Sequence, residues 1–320
     1  MGVKMPSQAQ SCQDQYEEFR KHRKIWNAEI LKFDGVEDAD VYNPSIPFEI
    51  NGEIFIAGRV EEREDNVSKT VFFRNRGGKW LQCSNTPVFD LEDPFVTKIG
   101  EEIIFGGVRV IREGKRILSW VTDFYRGKDS NELKLFVTGP SHMKDVRLIG
   151  LPGERIGIFT RPQGQKMIDK YGCIAKIGFT LVDSLEQITA EVIENAPFIE
   201  GLFLPDEWGG CNQVHLLKNG LIGVVGHKAW GEGSDEKMLH YFAMAFAIDA
   251  GSRKTTPCKI ICSRDCFPDG PAKRPELKDV VFTAGLIRNN DKTATLYAGL
   301  SDCQVGSVII EDPFIEYETI

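Results

Sequence analysis

Four stretches of the chain follow one template. "NPSIPFEINGEIFIAGR" (43–59), "DPFVTKIGEEIIFGGVR" (93–109), "DVRLIGLPGERIGIFTR" (145–161) and "NQVHLLKNGLIGVVGHK" (212–228) each open on Asn or Asp and close on Arg or Lys sixteen residues later. Each carries a turn signal near its middle, Asn51-Gly52, Gly100, Pro152-Gly153 and Asn219-Gly220 in order. Glycine supplies positive φ there, and proline presets the bend. With apolar runs on both sides, each stretch reads as a β-hairpin. A fifth, "DVVFTAGLIRNNDKTATLYAGLSD" (279–302), opens the same way and turns at Asn289-Asn290, but it is longer and ends without a base. The starts lie 50, 52, 67 and 67 residues apart, enough for a four-stranded sheet in each. Recurrence at this period predicts an all-β fold, a five-bladed β-propeller.

The rest of the chain fits around that frame. A polar segment from about Gln13 to Leu31 reads as helical. The expected organisation is an N-terminal extension over 1–28 and a single propeller domain over 29–320. With 320 residues, 42% of them hydrophobic, the chain can bury a large core. A formal charge of −8 offers no basic field for nucleic acid or an anionic membrane. No run approaches 18 apolar residues, and "MGVKMPSQAQSCQDQYEEFRKHRK" lacks a signal-peptide core, so the expected setting is cytoplasmic. Gly2 begins something like an acylation pattern, but Pro6 falls inside it and Ser7 comes one place late, so lipidation is not expected. Eight cysteines should then stay reduced. Cys258, Cys262 and Cys266 are spaced for a metal only on a helix, and Pro257 and Pro268 argue against one, so they read as small buried residues and no metal is expected.

Hairpin geometry returns the closing base to the side of the sheet from which the opening residue left. Asn43, Asp93, Asp145, Asn212 and Asp279 should therefore ring one mouth of a central channel, with Arg59, Arg109, Arg161 and Lys228 beside them. Asn and Asp also open strands by bonding their own backbone, and five blades can reuse one such device. The paired bases favour a pocket. Carboxylates converging there suit glycosidic chemistry, and the bases can hold a phosphate.

"VYNPSIPFEINGEIFIAGRVE" (41–61), "DLEDPFV" (90–96) and "YAGLSDCQVG" (297–306) resemble the Asn-Pro…Arg, Glu-Asp-Pro and Tyr-Gly-x-x-Asp motifs of glycoside hydrolase family 130, the β-mannoside phosphorylases. Including "GGCNQVHLLKNGLIGVVGHK" (209–228), residues 29–317 more closely resemble the mannosyltransferase/phosphorylases of glycosyltransferase family 108. The resemblance implies a five-bladed propeller and an inverting reaction on β-1,2-linked mannose. Phosphate attacks C1 to give α-mannose 1-phosphate, or mannose 1-phosphate or GDP-mannose extends the β-mannooligosaccharide. Inorganic phosphate or a sugar phosphate is a co-substrate, and no cofactor is implied.

By the same matching Asp93 is the general acid, its proton relayed through a sugar hydroxyl. Arg59 binds the sugar nearest the bond, with Asn43, Glu61 and Glu92. Asp302 grips mannose hydroxyls, or else forms a turn after Ser301. Asp145 with Arg147, and Asn212 with Gln213, contact sugar hydroxyls or tie blade to blade. Arg161, His227 and Lys228 take the phosphate. Trp208 and Trp230 read equally as stacking on a pyranose ring or packing in the core, His215 taken alone reads as a packed or surface histidine, and Arg109 as a neutraliser of Asp93 or Glu92. One departure from family 130 is Phe95, where its phosphorylases carry Arg after Glu-Asp-Pro. Gly77-Gly78 is a hairpin turn, and no glycine-rich phosphate loop precedes a helix. The alternatives are an inverting hydrolase of β-mannosides and a non-catalytic carbohydrate-binding propeller.

Overall fold

The computed structural model describes residues 9–62, 67–233 and 238–320; the Gly2 acylation pattern lies outside them. Strands form four sheets, the largest of which joins two antiparallel meanders through a short parallel pairing at His240 and Tyr241; counting each meander of that sheet separately gives five units in chain order. The first contains Asp40–Tyr42, Phe48–Ile50, Glu53–Glu61, Ser68–Arg76 and Lys79–Gln82, and the second Glu92–Ile99, Glu102–Glu113, Arg116–Gly127 and Lys134–Thr138. The third contains Arg147–Gly150, Ile156–Thr160 and Gly178–Val182. Trp208–Leu216, Ile222–Glu232, Met238–Ile248 and Lys259–Cys262 make the fourth, and Asp279–Arg288, Thr293–Leu300 and Gln304–Glu311 the fifth. The template hairpins are the leading pairs, turning through Gly52, Gly100, Gly153 and Gly220, all at positive φ.

Strand alternation sends neighbouring side chains to opposite faces of each sheet, and every face finds a partner. Ala57 and Phe72 of the first unit pack with Ile103 and Phe105 of the second. Phe95 and Phe124 of the second meet Leu148 and Ile158 of the third. Phe159 and Phe179 meet Val224 and Phe242, and Val225 and Ala243 meet Val281 and Leu296. Val305 of the fifth joins Ile56 and Phe73 of the first. The leading strands of the second to fifth units also touch in this order, and the first unit meets the second through Glu53–Glu61 and the fifth through Asp40–Tyr42.

The N-terminal reading needs correction. The helix is Cys12–His22, capped by the Ser11 hydroxyl accepting from Asp14 N at 3.0 Å and ending on Arg20, Lys21 and His22. These are the residue types a helix start and a helix end favour. Beyond it, Ile25–Ile30 is a strand pairing antiparallel with Gln304–Glu311. The open edge of the fifth unit takes up this segment, so the strand crosses the boundary expected at 28. All eight cysteines are free thiols, and all but Cys83 are buried. Among the described residues no helix is long and apolar enough to cross a membrane.

Candidate active site

Three of the five opening residues share an unusual backbone. Asn43, Asp93 and Asp145 have φ of 40°, 49° and 55°, the left-handed region that Asn and Asp tolerate best. The template thus preserves a conformation as well as a side chain. Asn212 instead sits in a bulge between Cys211 and Gln213. The fifth unit departs from expectation: its bulge lies between Thr283 and Gly285, so Ala284, sixteen residues before Leu300, holds the corresponding place. Asp279 lies five residues too early and accepts from His240 Nδ1 at 2.6 Å where the fourth and fifth units meet.

Arg59 organises the acidic side. Its Nη1 lies 3.1 Å from Asp93 Oδ1 and 3.2 Å from Glu92 Oε2. Nη2 donates to Glu61 Oε2 at 2.9 Å, Nε donates to Ser68 Oγ at 2.7 Å, and the guanidinium stacks 4.8 Å from the centre of the Tyr42 ring. Asn43 Nδ2 donates to the same Asp93 oxygen at 2.9 Å. Burial works against the Glu61 charge, yet Lys273, Ser68 and Arg59 bring its pKa down to about 2. Glu92 and Asp302 go the other way. Burial raises both pKa values, Arg59 opposes the rise, and the Asp93 charge adds to it. Tyr42, Ser68 and Lys273 were not readable as site residues; Lys273 comes from the loop before the fifth unit and reaches Glu61 and the Tyr42 hydroxyl.

The basic side gathers at the third and fourth units. Arg161 Nη1 donates to Asp145 Oδ2 at 3.1 Å and to Gln163 Oε1 at 2.6 Å, and its Nε donates to Gly209 O at 2.8 Å. His227 Nδ1 is 2.8 Å from Asn212 Oδ1, and Nε2 is 3.9 Å from Asp145 Oδ2. Burial lowers the His227 pKa to about 3, so the ring is neutral near pH 7. Burial disfavours the Asp145 charge, but Arg161, His227 and Arg147 hold its pKa below the ordinary value. Arg147 spans three units: it stacks 4.2 Å from the Phe95 ring centre and donates from Nε to Asn212 O at 2.7 Å.

Lys144, absent from the sequence-derived set, adds a positive charge felt on both sides. Its charge acts on Glu92, Asp145, His227 and Asp302, and no hydrogen bond or ion pair to it is found among the described residues. It stands one place before the template's opening Asp145, a position the repeat did not single out.

Other candidates lie elsewhere. Lys228 points away from its neighbour His227, because alternate strand residues face opposite sides, and it pairs with Glu207 at 3.0 Å. It is therefore withdrawn from the anion set. Gln213 accepts from Leu286 N at 2.6 Å and ties the fourth unit to the fifth. Arg109 neutralises Asp123, at 2.6 Å, and not Asp93 or Glu92. His215 packs on Phe314, Trp208 bonds the Tyr241 hydroxyl, and Trp230 stacks on His240. A large groove of about 1020 Å³ beside the N-terminal helix contains none of the cluster residues. A cavity of about 490 Å³ adjoins the cluster through Gln163, with Met143, Tyr171 and Phe198 in its wall.

The family profile described as "Protein of unknown function (DUF1861)" matches residues 17–316, and no curated protein sequence matches the chain. Among solved structures, the chain is similar to MPT-4, a mannose phosphorylase from Leishmania mexicana in complex with phosphate ion. The two are 35% identical with a TM-score of 0.88, over 94% of this chain and 93% of that one. MPT-1, a GDP-Man-dependent mannosyltransferase from Leishmania mexicana, is 36% identical with a TM-score of 0.88 over 97% of each. The β-1,2-mannobiose phosphorylase of Listeria innocua, at 16% identity and a TM-score of 0.61 over 91% and 92%, shares the fold.

Proposed function

The chain belongs to the DUF1861 family and, with its Leishmania relatives, to the mannosyltransferase/mannose phosphorylases, and we propose that it is an inverting phosphorylase of β-1,2-linked mannosides built as a five-bladed β-propeller. It is an enzyme of the glycosyltransferase/phosphorylase type. The catalytic body is residues 29–320, to which the N-terminal extension adds a strand. The five units, each packed on the next and the fifth on the first, support the blade count.

One observation carries the reaction. Asp93 is held by Asn43 and Arg59 on one side of the cluster, Arg161 and neutral His227 stand on the other, and the Lys144 charge acts on both. In this reading a phosphate oxygen, oriented by Arg161, His227 and Lys144, attacks C1 of the terminal mannose as the β-glycosidic C1–O bond breaks. The leaving oxygen takes its proton from Asp93 through a sugar hydroxyl, giving α-mannose 1-phosphate and a shortened chain. Asp302, Glu92 and Asn43 hold mannose hydroxyls. Arg59 and Glu61 act mainly by fixing one another and Asp93, since Arg59 spends its donors on protein acceptors. No general base is needed, because phosphate is already a nucleophile, and no cofactor beyond phosphate is called for.

Run in reverse, the same arrangement extends a β-mannooligosaccharide from mannose 1-phosphate. The similarity to a GDP-Man-dependent mannosyltransferase favours a second reading, with GDP-mannose as donor. A cytoplasmic setting agrees with the free thiols. The test is to incubate the protein with β-1,2-mannobiose, with and without phosphate. Phosphate-dependent mannose 1-phosphate is expected; free mannose formed regardless of phosphate would replace this reading with hydrolysis, and binding without turnover would make the protein a carbohydrate-binding module.

A further inference from the structure

Lys228 has no exposed surface. A buried ammonium needs an acceptor for each of its three N–H groups, and Lys228 has them. Gln10 O lies at 2.7 Å, Gln15 Oε1 at 3.0 Å and Glu207 Oε2 at 3.0 Å. Glu207 is equally engaged, accepting from Cys12 N on Oε1 and from Leu204 N at 2.9 Å on Oε2. Gln10, Cys12 and Gln15 belong to the start of the N-terminal helix and its lead-in. The ion pair therefore holds that helix against the fourth unit.

The same two strands carry His227 on their other face, where Arg161 of the third unit packs against them. Gly209 is paired across the sheet with Lys228, and Gly210 with His227. Gly209 O receives Arg161 Nε at 2.8 Å. A β-carbon on Gly210 would stand 2.8 Å from Arg161 Cδ, 2.8 Å from His227 Cε1 and 2.9 Å from Asp145 Oδ2. So little slack means that a shift of this strand displaces Arg161 and His227 with it.

We infer that Lys228 and Glu207 are positioning residues: by clamping the N-terminal helix onto the fourth unit at Lys228, next to His227 and across the sheet from Gly209, they set where Arg161 and His227 meet an oxyanion. This rests on the reading of Arg161 and His227 as the phosphate side of the site. A fully satisfied buried network of this kind specifies one arrangement of the groups around it.

Binding of inorganic phosphate to the full chain, followed by calorimetry, tests this alongside steady-state rates. Lys228→Met should weaken phosphate binding by about tenfold or more, the scale of a small misplacement of binding groups. It should raise KM for phosphate more than it lowers kcat. The double variant Lys228→Met/Glu207→Leu removes both charges, so it should regain thermal stability while phosphate binding stays weak. Tyr16→Ala, which removes the stack of the same helix on Phe242, should lower the melting temperature and leave phosphate binding within about twofold of wild type. Wild-type phosphate affinity in both Lys228 variants, or an equal loss in Tyr16→Ala, would overturn the positioning role. Unchanged phosphate binding in Arg161→Ala would instead remove the anion-site reading on which it stands.

Discussion

Asn43 donates its side-chain N–H to Asp93 Oδ1 at 2.9 Å, so the residues that open two successive units meet. Arg59 Nη1 converges on the same oxygen at 3.1 Å, and both donors leave Oδ2 as the oxygen to carry a proton toward substrate. Asp93→Asn should therefore lower phosphorolysis by about 10³-fold, within the usual range for a general acid, while β-1,2-mannobiose still binds. Asn43→Ala removes one of two anchors and should cost about tenfold. Release of mannose 1-phosphate measures both, and an Asp93→Asn enzyme keeping more than about a tenth of its rate would remove Asp93 from the acid role.

Lys144 and Lys228 give a paired comparison. Lys144 sits within the field of Glu92, Asp145 and Asp302 with no ion-pair partner among the described residues, whereas Lys228 is locked to Glu207. Lys144→Met should raise KM for phosphate by about tenfold, the cost of one charge-assisted contact. Its melting temperature should fall only slightly, because no hydrogen-bonded or ion-paired partner among the described residues is lost, only its attraction for those carboxylates. A large fall in melting temperature with unchanged KM would make Lys144 a structural residue.

The repeat made the strand pattern legible because period-2 alternation and turn glycines act locally. It also brought Asn43, Asp93 and Asp145 into one register, since each needs a residue that tolerates positive φ. It failed where the constraint is not local. In the fifth unit the opening residue matched in type but not in phase, because a bulge at Ala284 resets the count. Lys228 matched in phase but faces outward, since neighbouring strand residues diverge and the helix supplies partners that no template shows. Ile25–Ile30 is a strand because a distant edge needs pairing, and Lys273 reaches Glu61 across 212 residues of chain.

Two buried histidines make stability depend on pH. Burial lowers His215 from 6.5 to about 4 and His227 from 6.5 to about 3. Between those values and pH 6.5 the unfolded chain binds more protons than the folded one, so these groups favour folding above pH 6.5 and withdraw that support as pH falls. The melting temperature should drop as pH goes from 6.5 to 4. His215→Leu removes one of the two groups at a position packed on Phe314, away from the cluster, so it should flatten that drop and leave the activity at pH 7 unchanged. Thermal melts across this range check it, and an unaltered slope in His215→Leu would count against the buried neutral ring.

Asp302 should trade stability for function. Burial raises its pKa, Arg59 opposing and Asp93 adding to the rise. A carboxyl that protonates more readily folded than unfolded adds stability below the ordinary carboxylate range and withdraws it as pH rises through its folded pKa. At pH 7 its charge therefore costs the fold something, as does its φ of 54°. Asparagine keeps the shape, tolerates the same backbone and carries no charge, so Asp302→Asn should raise the melting temperature at pH 7 by roughly 1–3 °C. That gain should fade as pH falls through the folded pKa and the native carboxyl becomes neutral. If Asp302 grips mannose hydroxyls, the same variant should raise KM for β-1,2-mannobiose by about tenfold or more, with phosphate KM little changed. A lower melting temperature at pH 7 would show that the carboxylate is satisfied by the fold, and unchanged sugar KM would leave Asp302 as the turn residue its place after Ser301 also allows.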